Sequence, residues 1–241
     1  MSLEINTLTT PFIFHIMVNC YLIKTDSGFV LIDTARTGKR DVIEKELGKA
    51  GCKPGNLKLI ILTHGDFDHC GNAAYLREKF GAPITMHEAD RGMVEQGDMF
   101  WNRTTPNFLV HSITRLLFRL HMANRFKPDF FIKEGDNLSK YGFDAEVIEI
   151  PGHSKGSIGL LTTDNDLFCG DLLANVEKPD IWSIIDNQQE ANTSVQKLMD
   201  REINMVYPGH GQPFKMQAIL KNIKGGAATD ALQTAFKQNA I

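Results

Sequence analysis

Cysteine is scarce in this chain and never paired in sequence: Cys20, Cys52, Cys70 and Cys169 are the only four in 241 residues, and no two form a CxxC spacing. A disulfide framework is not expected, and a reducing cytoplasm is the natural compartment. The opening MSLEINTLTTPFIF lacks a basic region followed by a signal-length apolar stretch. No apolar run reaches the roughly 18 to 20 residues that cross a bilayer, so no membrane role is expected. Neither sign of charge dominates. Twenty-six Lys and Arg against 29 Asp and Glu leave a formal net charge of -3. Nothing global attracts a phosphate backbone, and no nucleic-acid partner is expected. Low-complexity tracts and short-period repeats are also missing. What remains, 42% apolar and 23% charged, is a globular composition whose length suits a single domain over residues 1–241.

Short β-branched or aromatic runs at residues 12–17, 20–24 and 29–32 predict an opening meander of strands, the last two joined by a TDSG turn. Residues 39–50 carry Val42, Ile43, Glu46 and Leu47 at helical spacing with Gly51 as a stop, and LKLIIL at 57–62 is a buried-strand pattern. Helix over 73–80, strand over 83–87 and a short helix over 88–95 follow. A second set of strands is expected at 143–150, 156–162 and 167–169, then a helix over 188–202 and a last strand at 205–206. Two such alternating halves suggest an α/β (α+β) fold in four layers, αββα, with two sheets face to face and helices outside. Residues 97–133 interrupt the rhythm. Leu109, Ile113, Leu116, Leu117 and Leu120 predict an amphipathic helix over 108–122, and six Arg and Lys, Arg103 among them, make this insert basic.

Chemistry concentrates in LTHGDFDHCGN at 62–72, where His64, Asp66, Asp68 and His69 fall within six positions. Histidine and carboxylates are nitrogen and oxygen ligands for divalent transition metals, and such a loop can turn alternate side chains toward one point. Three later fragments each set another ligand-type residue beside glycine: PGHSKGS with His153, CGD with Asp171, and YPGHG with His210. Glycine there lets the backbone turn closely. The other four histidines, His15, His87, His111 and His121, lie on predicted strands or on the insert and are read as packing or surface residues. Cys70 and Cys169, adjacent to motif residues, are read as small buried side chains.

This ordered series resembles the metallo-β-lactamase superfamily, whose pattern is HxHxDH, then a GHS histidine, a GD aspartate and a GH histidine. VNCYLIKTDSGFVLIDT also resembles its opening meander. The resemblance implies the αββα sandwich with a two-metal site at the sheet edges. It implies that His64, Asp66 and His153 hold one ion, that Asp68, His69 and His210 hold the other, and that Asp171 bridges them. It further implies that Asp33 supports the site from behind the ligands. In such a site a hydroxide shared by two divalent ions, zinc foremost with iron or manganese as alternatives, attacks a polarised carbonyl or phosphoryl group. Asp68 would orient the attacking water and take its proton.

The departure is Asp66, where most members have histidine. A carboxylate adds one negative charge and hardens the ligand set. Three outcomes follow: a hydrolase with altered metal preference, a diiron redox enzyme resembling the core of flavodiiron reductases, or a weakened site on that side. The redox reading needs an electron donor on a separate chain, because the residues beyond His210 are too few for a flavodoxin domain. The expected function is hydrolysis of a small ester, thioester or lactone, by analogy with glyoxalase II or lactonases. An interaction protein with a decayed site is the non-enzymatic alternative. The insert at 97–133 supplies an apolar face and arginines, suited to covering the cleft over an acyl group with an anionic portion, to an interface, or to plain packing. The sequence leaves the oligomeric state open.

Overall fold

Alternate side chains of strand β2 (Met17–Thr25) enter different cores: Cys20 and Leu22 join one hydrophobic cluster, and Tyr21 and Ile23 another. The same division runs through β3 (Gly28–Ile32), with Leu31 on one side and Val30 and Ile32 on the other, and through β4 (Leu57–Ile61), with Ile60 against Leu59 and Ile61. A strand with both faces buried needs apolar residues at every position, which is why LKLIIL carries so few polar ones. In β7 (Ala145–Glu149) Val147 shares the middle cluster while Ile148 belongs to a third. Three apolar layers require four layers of secondary structure around them. The chain is an αββα sandwich. The computed structural model describes residues 3–12, 16–104 and 122–219.

The first sheet has the order β1 (Glu4–Pro11), β2, β3, β4, β5 (Ile84–Met86), β6 (Phe130–Phe131). Its first three strands are antiparallel neighbours, and β3 through β6 run parallel. The outer cluster of this sheet holds Ile43 and Leu47 of α1 (Arg40–Lys49) and Leu76 and Phe80 of α3 (Ala73–Phe80). A one-turn α2 (Phe67–Cys70) lies between β4 and α3, and α4 (Arg91–Gln96) follows β5. The second sheet has the order β13 (Phe214–Lys215), β12 (Met205–Pro208), β9 (Asp166–Gly170), β8 (Ile158–Thr162), β7. Its outer face is covered by α5 (Gln188–Met199), through Ala191, Val195 and Leu198. A separate hairpin of β10 (Leu173–Asn175) and β11 (Pro179–Ile181) is tied at Asn175 to the segment after β12, where Asn175 N–H donates to His210 O at 3.0 Å.

Of the strand expected over 12–17, residues 13–15 lie outside the described residues. Phe12 N–H donates to Ile16 O at 2.9 Å, and the described strands on either side are β1, ending at Pro11, and β2, starting at Met17. β1 reads EINTLTTP and buries only Leu8 and Thr10, too few apolar positions for an alternation signal on an edge strand. The helix expected over 88–95 is a 3-10 turn at Glu88–Asp90 followed by α4, stopped by Gly97 at φ +67°. Of residues 97–133 the structure describes 97–104 and 122–133: 99–102 form a turn, Met122–Asn124 is a 3-10 turn, Phe126 is in the first core, and Phe130–Phe131 is the strand β6. The amphipathic helix expected over 108–122, His15, His111, His121 and the tail from residue 225 lie outside the described residues.

Candidate metal centre

Five strands end at one edge of the sandwich, and each delivers a polar side chain just beyond its last residue. β3 leads to Asp33, β4 to the run His64–Asp66–Asp68–His69, β7 to His153, β9 to Asp171 and β12 to His210. All are buried. The approach of the last two depends on Gly209, where a β-carbon would collide with Asp171 Oδ1 and crowd His69. The two sheets are laced together here. Asn19 N–H donates to Gly209 O at 2.8 Å, Tyr21 O–H to Pro208 O at 2.7 Å, and Ile158 N–H to Thr63 O at 2.9 Å.

The four imidazoles share one orientation. His153 Nδ1 lies 2.6 Å from Ile184 O and His210 Nδ1 lies 2.9 Å from Met17 O. Carbonyls only accept, so both Nδ1 atoms carry hydrogen. His69 Nδ1 lies 2.9 Å from Asp33 Oδ2. Thr63 gives its hydroxyl hydrogen to Asp33 Oδ2 at 2.8 Å, so its oxygen accepts from His64 Nδ1 at 3.0 Å. Every Nδ1 is thus tied to the frame, and every Nε2 faces inward, where three carboxylates wait.

Ligand atoms fall into three overlapping groups, each with all members within 4.8 Å of one another: His64, Asp66 and His153; Asp68, His69 and His210; and His64, His69 and Asp171. Asp171 stands between the triads, 3.9 and 3.8 Å from His64 and His153, and 3.3 and 3.0 Å from His69 and His210. Ligands about 2.1 Å from a tetrahedral ion lie about 3.4 Å from each other. His64 to Asp66 at 3.6 Å, His69 to Asp68 at 3.8 Å and His210 to Asp68 at 3.7 Å are close to that edge length. Separations of 2.9 and 3.0 Å, at His153–Asp66 and His210–Asp171, are hydrogen-bond distances.

Among the described residues, His64 Nε2, His69 Nε2 and Asp171 Oδ1 are buried with no hydrogen-bond partner. Each such atom costs roughly 1–3 kcal/mol unless something takes it, and a divalent cation is the partner this donor set fits. The electrostatics agree. Burial alone would lower the His69 imidazole, but Asp171, Asp33 and Asp68 push it well above its ordinary range. His210 is raised against burial by Asp171. Asp171, which burial alone would raise, is held well below the usual carboxylate range by His210 and His69. Asp68 is raised, chiefly by burial. The cavity is built to attract positive charge, with three buried carboxylates facing the ring nitrogens.

The model of the metallo-beta-lactamase superfamily matches residues 15–210. The chain belongs to this superfamily. It is 29% identical over 198 residues to a probable metallo-hydrolase of Methanocaldococcus jannaschii, covering 80% of this chain and 87% of that protein. It is 34% identical over 123 residues to a hydroxyacylglutathione hydrolase of Haemophilus influenzae, a match that spans 49% of this chain and only 50% of the relative. Among solved structures, a metallo-beta-lactamase family protein from Thermus thermophilus superimposes with a TM-score of 0.69 at 24% identity, over 90% of this chain and 77% of the other. A second, solved in a di-iron-bound form, gives 0.67 at 24% identity, over 88% and 96%. These two likenesses are of fold.

Within the metallo-beta-lactamase frame, Asp66 has company that the sequence did not announce. Arg103 donates from Nη1 to Asp66 Oδ1 at 2.7 Å and from Nη2 to Oδ2 at 3.0 Å, and from Nε to His153 O at 3.1 Å. Burial alone would raise the Asp66 carboxyl; the Arg103 guanidinium, with His153 and His64, holds it well below the usual range. Asp90 was also missed. Its Oδ2 accepts from Gly65 N–H at 3.1 Å and Ser154 O–H at 2.6 Å, and its Oδ1 from Gly156 N–H at 2.8 Å and Asn102 at 2.9 Å. It clasps the loops of both halves. A buried extra carboxylate does demand a counter-charge, and the basic insert begins at the right distance along the chain; nothing comparable in the sequence singles out Asp90. His87 bonds Glu149 at 3.0 Å, away from the centre. Cys70 and Cys169 are buried, their thiols pushed up by burial, Cys169 to about 12; they fill the core.

Proposed function

We propose that the protein is a dinuclear metallo-hydrolase acting on a small-molecule ester, thioester or lactone. One divalent ion would be held by His64, Asp66 and His153 and another by Asp68, His69 and His210, with Asp171 in reach of both triads. The observation that carries this reading is the set of four imidazoles whose Nδ1 atoms are anchored and whose Nε2 atoms converge on three buried carboxylates. Zinc suits a site of four imidazoles, while the oxygen of Asp66 also suits manganese or iron.

When bound, such ions supply Lewis acidity and lower the pKa of water toward neutrality. The residues do the rest. Asp68, with its carboxyl raised by burial, takes a proton from water at its carboxylate oxygen and passes it toward the leaving group. Asp33 keeps His69 in register. Phe12 lies 5.9 Å from the His210 ring and 5.7 Å from Phe67, and Trp182 stacks on His210 at 4.7 Å. These rings form an apolar wall that suits an acyl chain and limits water beside the reacting carbon. The likeness to a hydroxyacylglutathione hydrolase supports the acyl-substrate assignment.

The test is metal content after purification without chelator, paired with turnover of aryl esters, thioesters, lactones and phosphodiesters. Metal-dependent turnover of an acyl ester, thioester or lactone is expected. Two irons with oxygen consumption and no hydrolysis would replace this reading with the redox one, and neither metal nor turnover would leave an interaction protein. Asp68→Asn is expected to lower kcat by about 10²–10⁴ while the protein stays folded, as loss of a general base does.

A further inference from the structure

The negative charge that Asp66 adds to the centre is not left free. Arg103 grips both carboxylate oxygens in a fork, with its side chain 5% and that of Asp66 6% exposed. The neighbouring residues fix the arginine in turn. Asn102 bonds Ala89 O and Asp90, Arg103 Nε bonds His153 O, and Thr104 N–H donates to Asp186 at 2.8 Å. Trp101 sits against Gly92 so closely that a β-carbon there would strike the indole. Three consecutive residues, 102–104, are therefore hydrogen-bonded to the walls of the centre, and the guanidinium is aimed at one ligand. A surface arginine free to meet an anionic substrate would have no such constraints.

An aspartate with charge -1 and a guanidinium with charge +1 sum to the charge of one neutral imidazole. From this we infer that Arg103 and Asp66 act together as a composite, charge-neutral ligand in place of histidine, and that Arg103 weakens cation binding at the His64–Asp66–His153 triad relative to the Asp68–His69–His210 triad. The inference rests on the proposed metal centre. Arg103 has two opposing influences. Its fork orients the carboxylate, which favours an ion. Its fixed positive charge repels the ion and draws electron density from the same two oxygens, and against a doubly charged ion this repulsion is the larger effect in a buried site. Arg103 is a positioning residue that sets metal balance. It is committed to Asp66 and is not the anchor for a substrate anion.

The experiment is stepwise zinc binding by the full chain, from metal-free protein against a chromophoric chelator, with thermal unfolding of the metal-free and loaded forms read alongside. Wild type should bind one ion tightly and a second more weakly. In Arg103→Gln the second ion should bind tighter by about tenfold or more, the scale on which residues behind metal ligands act. In the metal-free state this variant should melt lower, because Asp66 is left as a buried uncompensated charge, and zinc should restore the loss. Arg103→Lys, which keeps charge without the fork, should remain near wild type in the affinity of the second ion. In an Asp66→Asn background, Arg103→Gln should still tighten the second ion, because the guanidinium repels the ion directly and not only through the carboxylate. Two equal affinities unchanged by Arg103→Gln, or weaker second-ion binding in that variant, would overturn the inference while leaving the metal centre standing. No zinc bound by any variant would overturn both.

Discussion

Asp33 has the backbone of a residue placed for its side chain. Its φ is +59°, a left-handed conformation that aspartate and asparagine tolerate better than most. From there one carboxylate receives Thr63 N–H at 2.9 Å, Thr63 O–H at 2.8 Å and the His69 ring at 2.9 Å. Asp33→Asn should keep the turn yet lower metal affinity by roughly 10–100-fold, as loss of a partner behind a ligand does; chelator competition measures it. Protonation gives a second prediction at this scale. His69 and His210 have raised pKa values in the metal-free protein, so they contribute stability that is present below the unfolded-state value near 6.5 and lost as pH rises through their folded-state values. Asp66 and Asp171 are depressed; their contribution is present above about 3.9 and lost only as pH falls through their lower folded-state values. Metal-free protein should therefore lose melting temperature as pH climbs above neutral. Metal affinity should rise over the same interval, because ions must displace the imidazole protons. Melting curves across pH, with chelator and with zinc, check both.

At the scale of elements, Asp90 decides whether separately built loops meet. It stands at the end of a 3-10 turn and holds Gly65, between two motif residues, together with Ser154 and Gly156, just after His153. Asp90→Ala would strand the buried N–H groups of Gly65 and Gly156, at roughly 1–3 kcal/mol each. Destabilisation of about 3 kcal/mol or more is expected in denaturant unfolding, with zinc binding impaired although no ligand has changed. The elements also show which patterns a sequence displays. α3 and its Gly81 stop, the core strands β3 and β4, and the turns after β7, β9 and β12 were legible because burial on two faces or helical spacing forces a pattern on neighbouring residues. The edge strand β1 escaped because, although eight residues long, it buries only Leu8 and Thr10; β6 and the hairpin β10–β11 escaped because strands of two or three residues are too short to show alternation. Asp33, His64 and His210 could be found by motif; Asp90 and Arg103 could not, since their roles lie in contacts 25 to 66 and 37 to 50 positions away.

For the whole molecule, the centre exists because two sheets press their strand ends toward one edge over a shared middle layer. Phe143 and Phe168 are among the largest fully buried side chains of that layer, with ring centroids 6.2 Å apart. Phe143→Ala should cost about 3–5 kcal/mol in a cooperative unfolding transition, and the residual native state should still bind zinc, because the ligands hang on strand ends and not on this ring. Among the described residues no helix is long and apolar enough to cross a membrane. Two-metal hydrolysis requires, before anything else, that the converging imidazoles and carboxylates bind divalent ions. The most direct test is zinc stoichiometry per chain, by elemental analysis of protein equilibrated with excess zinc and freed of unbound ion. Two ions per chain in wild type, and at most one when His64→Ala or His210→Ala removes a ligand from one triad, is the predicted result. No zinc above background in wild type, or a stoichiometry indifferent to both substitutions, would contradict it.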